Sequence, residues 1–369
     1  MRAIFDWVSH NIRYVAVTFG NGRYVPNDTH TILSRRFGDC KDAATLFSAL
    51  LAAKGIDSEQ VLIDLNSDYR LPQTPVLQAF NHVIVYVPAL DRYLDPSFAY
   101  GSFEHLPMKD LGKPVVRVSP HGATLARTPA PGIDDNVVTL DTSVSMTRSG
   151  RQQGRTAIAA RGEFADVLRG FLARVEAKGK DNEMATLAKA IGLGGKIGLD
   201  APPWTDTREP VHVTTTWDMQ PAPNPLETGW RAPPGLSPIV ASPTLFFGAF
   251  DTHKRVYPAG CRPGKVVQNV DLALPDGVAP GALPPPITQR TPLFSFREFW
   301  SAADHHVRET IEIASSATAR VCTPEQIEAV RGAYRGIASR VRPVLQFTTQ
   351  PGNAAGATQG HALTGGPKG

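Results

Sequence analysis

Residues Arg36–Asp42 read RFGDCKD and lead directly into a helical pattern. After Cys40, apolar residues recur at steps of three and four, which predicts an amphipathic helix with one face in a core. Asp39 is a typical N-cap and Gly55 a typical helix stop. Cys40 therefore falls in the first turn, where unpaired amides and the helix dipole stabilise a thiolate. We predict a nucleophile here; the alternative is a buried structural cysteine, which the polar neighbours disfavour.

A strand and a turn follow further along the chain. In the predicted strand, two sets of side chains alternate between the faces: Phe80, His82, Ile84 and Tyr86 on one, and Asn81, Val83, Val85 and Val87 on the other. The Pro-Ala-Leu-Asp segment that follows can turn the chain. If Val87 pairs with Arg92, then His82 and Asp95 are diagonal neighbours on one face of the hairpin. That arrangement lets Asp95 accept a hydrogen bond from one imidazole nitrogen while the other faces the thiol. The alternative is a core histidine next to a turn-associated Asp-Pro pair.

These residues form a candidate catalytic triad. A thiol nucleophile needs a base to take its proton and a third group to orient that base. Cys40, His82 and Asp95 supply these parts in chain order, each in a suitable local setting. A thiol mechanism of this kind needs no cofactor, and we predict neither a cofactor nor a metal site.

Several short segments of the first hundred residues fit one family pattern, and they are Ile12–Tyr14, Pro26, Gly38–Asp42, Ala53–Ile56, Asn81–Val83 and Tyr93–Pro96. Together they resemble the bacterial transglutaminase-like superfamily. The resemblance implies an α+β, papain/transglutaminase-like core, in which a helix that starts at the catalytic cysteine packs on an antiparallel sheet. It also implies that Cys40 is the nucleophile, His82 the base and Asp95 its orienter.

The superfamily that the chain resembles is chemically mixed. It includes protein cross-linking enzymes, cysteine proteases, peptide deglycosylases and members without catalysis, so fold alone does not fix the reaction. We predict thiol-dependent acyl transfer on peptide or glutamine amides, with a peptide or protein substrate and with hydrolysis favoured over cross-linking. The alternative is a non-catalytic transglutaminase-fold binding or assembly module. The chain retains all three triad residues, which favours catalysis.

Composition is that of a globular protein. The 369 residues suffice for two ordinary domains, and the mean hydropathy is −0.17. No apolar run reaches the roughly 20 residues that a membrane helix needs, so we predict no membrane span. The net charge of +4 comes from scattered residues without a basic block, and we therefore predict no nucleic-acid partner.

The chain is predicted to divide into three parts. Residues 1–120 should form the catalytic core, residues 121–350 a β-rich accessory region, and residues 351–369 a disordered tail that is rich in glycine and alanine. Stripes of period 3.6 predict helices near residues 164–191 and 324–341 within the accessory region. This region resembles, more weakly, the β-rich segment that follows the core in bacterial multi-domain relatives.

Localisation depends on the start of the chain. The N-terminal apolar stretch is too short and too interrupted for a signal peptide, which predicts a cytoplasmic protein. Relatives commonly carry a β-rich domain ahead of the core, often with an export signal. A missing N-terminal β-rich domain would therefore predict a periplasmic protein instead.

Three cysteines leave an odd one. Cys261 and Cys322 could pair in the accessory region and leave Cys40 free, as a nucleophile must be. The alternative is three reduced thiols in the cytoplasm.

Overall fold

The computed structural model describes residues 1–16, 20–66, 70–74, 76–190, 195–231, 255–317, 321–338 and 343–349. The predicted tail at 351–369 lies outside these residues. Within them, no helix is long and apolar enough to cross a membrane.

The described part of the first region contains three α-helices and seven strands. The helices are α1 (Arg2–Asn11), α2 (Thr29–Arg35) and α3 (Cys40–Ala52). The strands are β1 (Arg13–Tyr14), β2 (Phe37–Gly38), β3 (Glu59–Ile63), β4 (His82–Val87), β5 (Arg92–Leu94), β6 (Pro114–Ser119) and β7 (Gly122–Arg127).

Strands β3 to β7 form an antiparallel sheet in the order β5-β4-β3-β6-β7. Helix α3 packs on β4, because its apolar stripe is buried together with the β4 residues that face it. Phe47 of α3 is fully buried and meets Phe5 of α1 edge to face, with 6.0 Å between the ring centroids. Full burial of one such side chain stabilises a fold by roughly 1.5–3 kcal/mol. The predicted α+β core, with the Cys40 helix packed on an antiparallel sheet, is confirmed.

The sheet continues past the predicted boundary at residue 120. Strands β6 and β7 form a hairpin across it, in which Pro114 pairs with Arg127 and Ser119 with Gly122. Gly122 has φ +121°, a conformation that side chains with a Cβ rarely adopt, so this glycine permits the tight turn. We therefore place the end of the first region after Arg127.

The second region combines strands with four helices in its described part. The helices are α4 (Glu163–Lys178), α5 (Lys180–Ala190), α6 (Pro225–Thr228) and α7 (Pro324–Ala338). The longer strands are β8 (Val137–Met146), β9 (Gln152–Ala160), β10 (Lys196–Asp200), β11 (Val211–Met219), β13 (Gly264–Ala273), β15 (Ile287–Arg290), β16 (Phe294–Ala303) and β17 (His306–Ser315). Short strands are β12 (Ala259–Gly260), β14 (Val278–Pro280), β18 (Val321–Cys322) and β19 (Phe347–Thr349).

The longer strands form one sheet in the order β10-β11-β9-β8-β13-β17-β16-β15. Strand β13 runs parallel to β8, and the other neighbours are antiparallel. Helices α4 and α5 cover one part of the sheet, and α7 covers another part, beside a disulfide between Cys261 and Cys322. The predicted helices near 164–191 and 324–341 are confirmed.

The two regions contact each other directly. Ser102 of the first region donates to the carbonyl of Thr207 over 2.8 Å, and the Thr207 hydroxyl donates to Asp6 over 2.8 Å. Arg169 of α4 is 1% exposed and donates to the carbonyl of Tyr100 over 3.2 Å. Helix α4 is therefore fixed against the segment that follows β5.

Candidate active site

Cys40 begins helix α3, as the sequence predicts. The Asp39 side chain caps the helix by accepting from the backbone N–H of Asp42 over 3.4 Å, and it also forms a close ion pair with Lys41. The first amides of a helix have no intrahelical partner and carry partial positive charge. The half-buried Cys40 thiol therefore lies in a setting that stabilises negative charge.

Gly38 and Asp42 hold the loop before this helix. The Asp42 carboxylate is buried and accepts from the backbone N–H of Asn27 over 2.8 Å and from its side-chain amide over 3.0 Å. A Cβ added at Gly38 would lie 2.6 Å from the Cβ of Asp42, a distance that real contacts do not show. The glycine thus permits the close approach that fixes the start of α3.

Tyr14 lies next to the Cys40 thiol. The sequence alone does not predict a role for this tyrosine in the site. Strand β1 pairs in parallel with β2, which sets Tyr14 opposite Gly38. Burial, followed by the neighbouring Cys40, Asp39 and Asp95 and by hydrogen bonding with Cys40, raises the pKa of Tyr14 to about 12. The phenol therefore stays protonated near neutral pH and can donate a hydrogen bond.

His82 and Asp95 meet as the register argument predicts. Val87 pairs with Arg92, which confirms the expected hairpin register. His82 Nε2 and Asp95 Oδ2 lie 2.9 Å apart, and both side chains are buried. The other carboxylate oxygen of Asp95 accepts from the Ser97 backbone N–H over 2.9 Å and from its hydroxyl over 2.6 Å. The carboxylate is thereby held in one orientation toward the imidazole.

The charges of this pair favour an imidazolium beside a carboxylate. Burial alone would lower the pKa of His82, but the charge of Asp95 and hydrogen bonds to Asp95 and Cys40 raise it well above its usual value. Burial alone would raise the pKa of Asp95, but His82 and then Ser97 lower it below its usual value. Asp95 and the neighbouring Cys40 therefore both favour the charged form of the His82 ring.

Asn81 fixes the strand end that carries His82. Its side-chain oxygen accepts from the backbone N–H of Leu65 over 2.9 Å, and its amide donates to Asp64 over 2.6 Å. Its backbone N–H donates to the carbonyl of Ile63 over 3.2 Å. These bonds join the end of β3 to the start of β4, so the position of His82 is set by both strands.

A cleft of about 640 Å³ opens beside these residues and is lined by Tyr14, His82 and Asp95. Both regions contribute to it. Its other walls are mostly apolar or aromatic and include Leu65, Phe98, Tyr100, Pro107, Met108, Val167 and Gly170. Asp110, which the sequence argument also missed, lines the cleft and is 1% exposed.

Two groups of side chains bring possible metal ligands together in the described part of the chain. His82, Asp95 and Asp110 have ligand atoms within 4.8 Å of one another, and so do His105, Asp166 and Glu209. In the first group, His82 and Asp95 are already engaged with each other. The second group surrounds the guanidinium of Arg169, which supplies positive charge between the carboxylates. Charge pairing within the chain therefore accounts for the second arrangement and for His82 and Asp95 of the first.

The sequence candidates converge in space. Cys40, His82 and Asp95 form one chain of contacts, while Cys261 and Cys322 form a disulfide in the second region. Of the two alternatives for the cysteines, the structure has the paired one, and Cys40 is the free thiol.

A helix begins at a free cysteine and packs on an antiparallel sheet, with a histidine on one strand and an aspartate directly after the next. This is the architecture of the papain/transglutaminase-like class. Residues 1–88 match the model of the Transglutaminase-like superfamily, so the first region carries a transglutaminase-like core.

The crystal structure of a putative protease from Parabacteroides distasonis has a similar fold, with a TM-score of 0.55 and 16% sequence identity. The match covers 93% of this chain and 50% of that one, so this chain spans half the length of the neighbour. No protein of curated function matches the sequence.

Proposed function

We propose that this protein is a thiol-dependent acyl-transfer enzyme that acts on peptide or glutamine amides. The observation that carries the proposal is the continuous set of contacts from the Cys40 thiol through His82 to Asp95. A buried imidazole between a thiol and a carboxylate is the arrangement that activates a cysteine nucleophile.

The reaction has two halves. The Cys40 thiolate attacks the amide carbonyl carbon, and a C–S bond forms as the carbonyl π electrons move to oxygen. The C–N bond then breaks, the amine leaves with a proton from His82, and a thioester remains on Cys40. Water or an amine attacks the thioester while His82 takes its proton, and the thiolate leaves.

Tyr14 is suited to stabilise the oxyanion of the tetrahedral intermediate. Its hydroxyl reaches the thiol, and a pKa of about 12 keeps it protonated. Amides of the first turn of α3 point toward the same end of the helix and can add further donors.

Hydrolysis is the favoured outcome. Water is the default acceptor, and the similar crystal structure is of a protein named as a putative protease. That name belongs to a chain of about twice this length. It supports water as the acceptor of the acyl group.

The test is product analysis with the full chain and a mixture of peptides, with and without hydroxylamine. Hydrolysis gives new carboxylates at peptide or glutamine amides, and hydroxylamine captures the thioester as a hydroxamate; mass spectrometry distinguishes them. We expect Cys40-dependent products that Cys40→Ala abolishes. Products that survive Cys40→Ala, or no product and no thioester with any peptide, would refute the proposal.

A further inference from the structure

Helix α4 of the second region has two faces with different surroundings. Phe164, Leu168 and Phe171 are buried against the large sheet. The opposite face carries Glu163, Asp166, Val167, Gly170 and Arg174, which all line the cleft beside His82. Their spacing is that of one helical face. An element outside the transglutaminase-like core therefore forms a wall of the candidate active site.

The central part of this wall is small and apolar. Gly170 faces the ring of Tyr100, and a Cβ at Gly170 would lie 3.5 Å from that ring, an ordinary contact distance. Val167, one turn away, is 42% exposed and faces the same cleft. Phe98 and Tyr100 pack edge to face opposite them, with 6.0 Å between centroids. The cleft thus has aromatic surface that lies directly against the small residues of α4.

The exposed charged side chains of the cleft are basic, and its acidic side chains are less exposed. Lys109 and Arg174 are exposed at its mouth. Arg174 donates to the Gly170 carbonyl over 3.4 Å and lies over the Phe171 ring. Among the carboxylates that line the cleft, Asp95 pairs with His82, Glu163 with Arg262, and Asp166 with His105 and Arg169. Asp110 also lines the cleft and is buried.

We infer that α4 forms the side-chain specificity pocket of this site, which takes an apolar or aromatic residue next to the reacting amide and rejects lysine and arginine. The inference rests on the proposed acyl-transfer function and names the substrate class for it. An apolar side chain in such a pocket gains burial against Val167 and Tyr100, whereas a basic side chain meets the like charges of Lys109 and Arg174.

The test uses peptidyl acyloxymethyl ketones that differ only in the residue next to the reactive carbonyl, which is Phe, Leu or Lys. Intact mass gives the rate of Cys40 labelling, and iodoacetamide, which needs no pocket, reports the thiol alone. We expect the Phe and Leu probes to react at least about tenfold faster than the Lys probe.

Two variants test the wall itself. Gly170→Leu fills the pocket and should slow the Phe probe by about tenfold or more while the iodoacetamide rate is kept. Val167→Glu, at an exposed position, adds a carboxylate and should narrow the preference for Phe over Lys by about fivefold or more. The matched control is Gly332→Leu, at an exposed glycine of α7 whose Cβ would meet no atom within 4 Å; it should change neither rate.

The outcomes separate the inference from the proposed function. If iodoacetamide labels Cys40 but the three probes react equally, or Gly170→Leu and Val167→Glu leave probe selectivity unchanged, the pocket assignment is wrong and the thiol assignment stands. If iodoacetamide fails to label Cys40 in the native chain, both are wrong.

Discussion

Replacement of His105 by glutamine tests how the two regions are joined beside the cleft. His105 follows β5, and its Nε2 lies 3.2 Å from Asp166 of α4 while its Nδ1 lies 2.9 Å from Glu209. Arg169 contacts both of these carboxylates. Glutamine keeps hydrogen-bonding capacity but removes the charge of His105, so that Arg169 alone remains as the cation between the two acids.

The size of the effect follows from the pKa of His105. Burial alone would lower this pKa, but Asp166 and Glu209 raise it from 6.5 to about 10. Each pKa unit corresponds to about 1.4 kcal/mol, so this rise in the pKa of His105 corresponds to at most about 5 kcal/mol of folding free energy. Burial raises the pKa of Asp166 in spite of these contacts. The cost of burying this carboxylate offsets part of the folding free energy that the His105 charge contributes. We expect a loss of about 3 kcal/mol, the lower end for removal of one buried ion-pair partner.

The sign of the pH dependence follows from the raised pKa. The folded protein holds this proton more tightly than the unfolded chain, so the stabilisation is complete below about pH 6.5. It declines as the pH rises and is lost near the folded pKa of about 10. The difference in unfolding free energy between the native chain and His105→Gln should therefore be largest near pH 6 and smallest near pH 10.

The assay is urea denaturation of the full chain near pH 6, 8 and 10, followed by tryptophan fluorescence. Trp204 packs on Tyr100 at 5.9 Å between centroids and reports on the contact between the regions. The control is His121→Gln, at an exposed histidine of the β6–β7 turn. A His105→Gln penalty below about 1 kcal/mol near pH 6, typical of a surface pair, would refute this account. A penalty that stays equally large near pH 10 would also refute it.

Three further substitutions test the parts of the site. Asp95→Asn should slow turnover by about 10⁴ and keep the fold, as in comparable triads; loss of the carboxylate lowers the pKa of His82, so the alkaline limb of the pH–rate profile should move to lower pH. Gly38→Ala should reduce the unfolding free energy by about 1–3 kcal/mol in urea titration, because its Cβ would meet Asp42 at 2.6 Å. Tyr14→Phe should lower kcat by about 10²-fold or more, the effect of losing one oxyanion donor, while unfolding in urea stays unchanged.

Matched controls exist for each substitution. Asp57 and Tyr24 are exposed, so Asp57→Asn and Tyr24→Phe should leave turnover and its pH profile unchanged. A Cβ at Gly260 would meet no atom within 4 Å, so Gly260→Ala should leave stability unchanged. Turnover by Asp95→Asn at the native rate would make that residue a turn residue only, and a normal kcat for Tyr14→Phe would remove the tyrosine from the mechanism.

Local sequence signals were enough to predict the helix start and the hairpin register at the candidate site. The N-cap Asp39 and the apolar stripe after Cys40 locate the helix start, because capping and periodicity depend on near neighbours. The register of β4 and β5 follows from alternation and a short turn, which together fix the distance from His82 to Asp95. Both signals act within short stretches of chain.

The rest of the site depends on contacts between distant segments. Tyr14 reaches the thiol only because β1 pairs with β2, and a two-residue parallel pairing leaves no periodic signal. The charges around His105 come from three separate segments, so its spacing from Asp166 in the sequence carries no information. The wall at Gly170 likewise results from packing of one region on the other. A helical stripe in the sequence predicts that α4 has such a face, but it does not predict which segment packs against that face.

The alkylation rate of Cys40 with iodoacetamide near pH 6.5 tests the central claim that His82 activates this thiol. Cys261 and Cys322 are paired in a disulfide, so the reference is Cys40 itself in the urea-unfolded chain. The account predicts that the folded native chain reacts faster than the unfolded chain and that His82→Ala abolishes this advantage. Equal rates in the folded and unfolded chains, or a folded rate that His82→Ala leaves unchanged, would contradict it.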